Sequence, residues 1–154
     1  MKQVTLYCDG SSLGNPGAGG WCGILCFKDK QKILSGGEPH TTNNRMELLA
    51  VIESLKALKE PCAVDLYSDS KYVCEGINSW LKNWVAKDFK NVKNPDLWQT
   101  YLQVSSPHSI KAHWIKGHAG HPQNELCDSL AKQAAKDVIA KDGVAKIEDS
   151  KPHK

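Results

Sequence analysis

The chain has 154 residues, enough for one domain that buries roughly 69% of its unfolded surface. Its 40% hydrophobic and 24% charged content, with modest glycine and proline, excludes collagen-like, low-complexity and wholly disordered chains. The formal charge of +3 is compatible with a polyanionic partner but too small to demonstrate one. None of the six cysteines forms a C-x-x-C pair, so a zinc cage and a thioredoxin-type redox motif both lack their spacing. The first residues, MKQVTLYCDG, contain no signal-length apolar stretch, and no window approaches the ~18 apolar residues of a membrane span. The expectation is a cytoplasmic protein in a reducing setting, without membrane contact.

Residues 4–8 alternate as a first strand, and the Gly- and Pro-bearing stretch 9–20 reads as loop. Residues 21–27 and 32–35 read as two further strands joined by a hairpin. From Asn44 the period changes: Leu48, Val51, Ile52, Leu55 and Leu58 form an amphipathic helical stripe that ends before Pro61. Residues 63–68 alternate as strand four, and Asp69 or Ser70 is placed to cap a second helix, weakened by Gly76. Asn94 and Pro95 read as cap and first position of a helix over 96–104. Residues 110–114 read as strand five, KGHAGHPQ as loop and 124–140 as a last helix. Residues 143–154 are polar and aperiodic and are expected to form a disordered tail, leaving a single domain over 1–142. The order βββαβαβα calls for an α/β fold, a five-stranded mixed sheet with helices on both faces. The right-handed crossover rule sets strand four parallel to strand one, so Asp9 and Asp69 both fall at carboxyl ends of strands, where ligands gather.

Three acids stand out: Asp9 directly after strand one, Asp69 directly after strand four and Glu47 in the first turn of helix one. Each also has an ordinary reading. Asp9 could open an Asx turn, Asp69 could cap helix two, and Asn44-x-x-Glu47 resembles a capping box. Together, carboxylates converging on one sheet edge repel one another unless protons or a hard cation neutralise them. Oxygen-only ligands suit Mg²⁺ or Mn²⁺ rather than zinc. Asp128, next to the buried-stripe residue Cys127, is a fourth candidate, and His118 lies in a glycine-flanked loop. His113 alternates outward on its strand and reads as inert. The stretch GNPGAGG lacks both phosphate-loop spacings and precedes a strand, so it reads as a hairpin connection.

Four segments, DGSSLGNPGAGGW, TTNNRMEL, YSDSKYV and WIKGHAGHPQNELCD, occur in one order, and with them the chain resembles type-one ribonuclease H of the compact bacterial form over about residues 1–140. The resemblance implies a ribonuclease H-like fold and an endonuclease that cuts the RNA strand of RNA·DNA hybrids, leaving 3′-hydroxyl and 5′-phosphate ends. Asp9, Glu47, Asp69 and Asp128 match that family's metal-binding carboxylates, which hold two Mg²⁺ ions with the substrate, or Mn²⁺ in their place. His118 matches its mobile histidine, associated with proton movement and product departure. Asn15, Asn43 and Asn44 supply uncharged groups suited to an RNA minor groove, and Glu47 by similarity reads a 2′-hydroxyl. Thr42 and Asn94 match positions that hold a DNA phosphate, and Tyr72 and Trp80 match an aromatic channel for the DNA strand. For Trp84, at i+4 from Trp80, core packing is an equal reading.

Lysines 82, 87, 90 and 93 match a basic protrusion, but only nine residues separate Trp84 from Asn94, so the protrusion is shortened and hybrid binding is expected to be weaker or more salt-sensitive. Two other readings stand beside this one: a different polynucleotidyl transferase on the same sheet, and a non-catalytic hybrid-binding module. A monomer acting on a hybrid substrate is the expectation.

Overall fold

The computed structural model describes residues 1–116 and 121–148, with side chains as far as 141. Five strands, β1 (Lys2–Ser12), β2 (Gly17–Phe27), β3 (Lys30–Thr41), β4 (Cys62–Ser68) and β5 (Ser109–Trp114), form one sheet in the order β3-β2-β1-β4-β5. The first three form an antiparallel meander, and β4 lies parallel to both β1 and β5. The mixed α/β architecture expected from the element order is the one observed.

Helix α1 (Asn43–Lys56) packs on one face of the sheet, where alternate β1 residues Val4, Leu6 and Cys8 meet Leu48, Val51, Ile52 and Leu55. Its buried stripe is broad because α4 (Pro95–Ser105) covers its other side, and Trp98 and Tyr101 join the same core. Helix α5 (Pro122–Glu148) covers the opposite face, where Cys127 and Ala131 pack on Cys22, Ile24 and Tyr7. Gly20 makes this approach possible, since a Cβ there would overlap the backbone of Ala131 and Ala135. Between β4 and α4 the chain forms α2 (Lys71–Glu75), a π-helical turn (Gly76–Trp80) and α3 (Leu81–Ala86). No helix among the described residues is long and apolar enough to cross a membrane.

Several elements run further than the sequence pattern implies. Strand β1 continues through Asp9 to Ser12, and β2 begins at Gly17, so the expected 9–20 loop shrinks to a short connection closed by the Leu13 N–H donating to Ala18 O. Strand β3 extends to Thr41 across Gly36, Gly37 and Pro39, residues that read as breakers. It is an edge strand paired only to β2, so a proline is tolerated. Helix α5 does not stop at Ala140 but continues to Glu148, past the expected start of the tail at 143. Ala145, Lys146 and Glu148 are good helix formers, and one glycine costs an exposed helix only ~1 kcal/mol. Residues 149–154 lie outside the described residues.

Candidate active site

The parallel pairing of β1 with β4 sets Tyr7 opposite Tyr67, so Asp9 and Asp69, two residues further along each strand, emerge side by side. Asp9 is still within β1, and Asp69 follows the last residue of β4. Glu47 arrives from α1, which lies directly against β1 because Gly10 has no side chain; a Cβ there would overlap Glu47 N and Met46. One carboxylate oxygen from each of Asp9, Glu47 and Asp69 lies within 4.8 Å of the others.

The ordinary readings of these acids do not survive the geometry. The cap of α1 is Thr42, whose Oγ1 accepts from Arg45 N at 3.3 Å. The helix starts at Asn43, so Glu47 lies beyond its first turn and serves no capping box. Helix α2 is capped by Ser70, whose Oγ accepts from Val73 N at 3.2 Å, and not by Asp69. Asp9 accepts from the adjacent Gly10 N–H at 2.9 Å within a continuing strand, so it opens no turn. The Asp69 backbone is fastened across the sheet edge by the Trp114 indole N–H, which donates to Asp69 O at 3.0 Å.

Proximity and burial act on Asp9 and Glu47 in one direction. Burial first, then the Asp69 charge, raises the Asp9 carboxyl from 3.8 to about 7, against the lowering effect of the Gly10 N–H. Burial, followed by the charges of Asp9 and Asp69, pushes Glu47 well above the ordinary carboxylate range. Glu47 Oε2 is buried and has no hydrogen-bond partner among the described residues. A repelling, partly desolvated set of hard oxygen donors with an unsatisfied buried oxygen fits a divalent cation. Asp128 lies near enough to Asp9 to add to the upward shift there. It is not one of the three converging acids and pairs with Lys132 at 3.0 Å. His118 lies outside the described residues. His113 contacts Asp65 at 2.8 Å and stacks on Tyr67, taking no part in the cluster.

At the N-terminus of the helix that carries Glu47, a polar cleft of about 440 Å³ is lined by Asn15, Thr42, Asn43, Asn44, Lys93 and Asn94. The β1–β2 connection is tied to this cleft: Asn43 Oδ1 accepts from Ser12 N at 2.7 Å, and Asn43 N donates to Asn15 Oδ1 at 3.2 Å. Tyr72 Oη accepts from Asn94 Nδ2 at 3.1 Å and from the buried Trp98 Nε1 at 2.8 Å. Asn94 precedes α4 as expected but caps it with no side-chain hydrogen bond, because its backbone is left-handed at φ 56°.

Trp80 is 42% exposed at the end of the π-helical turn. Trp84 is held between Trp80 and Trp98, so packing accounts for it. Lysines 82, 87, 90 and 93 are exposed around the segment between α3 and α4, which folds back through left-handed Asp88, Phe89 and Asn91 and packs Phe89 onto the core. Sequence reasoning missed Arg45, which reaches from α1 to Asn94 and Asp96, and counted Lys93 only as protrusion charge. The TTNNRMEL segment contains Arg45, but no local spacing links it to residues some fifty positions away.

A profile of the RNase H family matches residues 1–136. The chain belongs to the RNase H family. Ribonuclease HI of Helicobacter pylori (strain ATCC 700392 / 26695) is 62% identical over 135 residues, which cover 88% of this chain and 94% of that protein. Ribonuclease H of Campylobacter concisus (strain 13826) is also 62% identical, with the same coverage of both chains. Among solved structures, LC9-RNase H1, described as a type 1 RNase H with the type 2 active-site motif, is similar at a TM-score of 0.82 and 32% identity, over 89% of this chain and 74% of that one. The resemblance carried by the four sequence segments, and the fold it implies, are thereby borne out.

Proposed function

We propose that this chain is an endonuclease that hydrolyses the RNA strand of RNA·DNA hybrids, leaving 5′-phosphate and 3′-hydroxyl ends. The observation that carries the reading is the convergence of Asp9, Glu47 and Asp69 within 4.8 Å, in a chain of the RNase H family. These three acids, with Asp128 beside Asp9, would hold two Mg²⁺ ions, and Mn²⁺ would substitute. Such ions would supply Lewis acidity, activating the attacking water and stabilising the departing oxygen.

The chain's own part is positioning. Asp9 and Asp69 are fixed by paired strands and Glu47 by α1 seated on Gly10, so the negative field needs little rearrangement to act. Asn15, Asn43 and Asn44 offer uncharged donors and acceptors to the RNA minor groove, and Glu47 meets a 2′-hydroxyl near the cut. Thr42 and Asn94 hold a phosphate of the DNA strand, and Tyr72 and Trp80 border that strand's path. His118 assists proton movement and product departure. The exposed lysines give sequence-independent attraction that salt weakens. Residues 1–142 form the catalytic domain, working as a monomer. A cytoplasmic setting is supported by six free cysteines.

The test compares the wild type with Asp69→Asn on labelled RNA·DNA hybrid, duplex RNA and single-stranded RNA, with and without a chelator. The reading predicts cutting of the hybrid alone, dependent on divalent metal and lost in the variant. Chelator-resistant cutting by both proteins would remove it.

A further inference from the structure

Asn94 ends in an amide whose two faces have opposite chemistry. Turned one way it presents N–H donors to the cleft; turned the other way it presents a carbonyl oxygen that repels a phosphate. The residue type does not choose between them, but Arg45 does. Its Nη1 lies 3.1 Å from Asn94 Oδ1, and a guanidinium carries only donors, so the atom facing it must be the oxygen.

Nδ2 then faces Tyr72 Oη at 3.1 Å and keeps one N–H for the cleft. The tyrosine hydroxyl is saturated in this arrangement: it accepts from Asn94 and from Trp98 Nε1 at 2.8 Å, and donates to Lys93 O at 3.2 Å. Arg45 is itself held by a two-point fork to Asp96, Nη2 to Oδ2 at 2.7 Å and Nη1 to Oδ1 at 3.1 Å. The backbone agrees with the side chains. Pro95 disfavours the right-handed helical region for the residue before it, and asparagine is among the few residues that accept the left-handed well, where Asn94 sits at φ 56° and ψ 47°.

We propose that the Arg45–Asp96 pair is a positioning device that locks the Asn94 amide with its donor toward the DNA-strand phosphate. The inference deepens the function proposed above and rests on it. Its distinctive consequence concerns Asp96, an exposed acid two residues from a group meant to bind a polyanion. By Coulomb repulsion alone, removing that charge would tighten hybrid binding. By positioning, removing it weakens binding, because Arg45 loses its anchor and the amide its orientation.

Steady-state cleavage of labelled hybrid should be measured for Asn94→Ala, Asp96→Asn, Arg45→Lys, Asp96→Glu and the Asn94→Ala/Asp96→Asn double variant, with thermal unfolding of each confirming that it folds. Loss of a charge-assisted hydrogen bond predicts a KM raised about tenfold in Asn94→Ala. Asp96→Asn should raise KM about threefold or more, with kcat within about twofold, and Arg45→Lys should do the same although it keeps its charge, since lysine cannot form the fork. Asp96→Glu should restore most of the affinity, and the double variant should be no worse than Asn94→Ala. A lowered KM in Asp96→Asn, or additive losses in the double variant, would overturn the positioning role while leaving hybrid cleavage intact. An unchanged KM in Asn94→Ala would overturn both this role and the phosphate contact assigned to Asn94.

Discussion

Replacing Asp9 with Asn should stabilise the metal-free protein while removing its ability to cut. Asp9 is 6% exposed, and burial together with Asp69 raises its carboxyl from 3.8 to about 7. The unfolded chain therefore ionises Asp9 near pH 4 while the folded protein holds the proton up to about pH 7. Between those values the folded state binds more protons, so stability falls as pH rises and stays low above the folded value. At 1.36 kcal/mol per unit, a rise of about 3 units makes the ionised Asp9 oppose folding by roughly 4 kcal/mol at pH 8.

Asparagine removes the charge and keeps an oxygen for the Gly10 N–H. Part of the burial cost remains, so Asp9→Asn should gain about 2–4 kcal/mol at pH 8 and little near pH 4. For a chain of this length the gain corresponds to roughly 5–15 °C in Tm. Urea unfolding of both proteins with chelator, at about pH 4 and pH 8, measures it directly. A variant no more stable than wild type at pH 8, or an advantage that does not change with pH, would refute the electrostatic reasoning.

Three further outcomes follow from the same geometry. Affinity for Mg²⁺ should increase as pH rises from about 6 to 8, because the proton held by Asp9 must leave; calorimetric titrations showing no pH dependence would contradict this. Gly20→Ala should destabilise the fold by about 2–3 kcal/mol in urea unfolding, since its Cβ meets the backbone of α5 and has no flexible side chain to displace; a neutral result would mean that α5 shifts freely on the sheet. Tyr72→Phe should cost about 1–3 kcal/mol, because it leaves the fully buried Trp98 Nε1 without its acceptor; unchanged stability would show that the indole finds another acceptor.

The sequence revealed what depends on strand order and local period. Asp9 and Asp69 could be brought together from their chain positions because a right-handed crossover forces β4 parallel to β1, and both acids directly follow the alternating runs 4–8 and 63–68. The stripe Leu48, Val51, Ile52, Leu55 identified α1 and its inner face. Features that depend on tertiary packing were hidden. The length of β3 was obscured by Gly36, Gly37 and Pro39, which an edge strand accommodates. A two-residue shift of the α1 cap, from Asn44 to Thr42, decides whether Glu47 caps or faces the cluster. The left-handed Asn94 looked like an ordinary helix cap, and the Arg45 fork that orients it joins residues distant in the chain. The continuation of α5 past Ala140 followed from helix-forming residues whose polarity had suggested a tail.

Direct metal titration is the closest test of the central claim. Mn²⁺ binding, followed by calorimetry at pH 8, should be compared among wild type, Asp9→Asn, Glu47→Gln, Asp69→Asn and Asp128→Asn. The wild type should show a site that is lost with each of the first three substitutions and weakened less by the fourth. Unchanged binding in Asp9→Asn, Glu47→Gln and Asp69→Asn would contradict that claim.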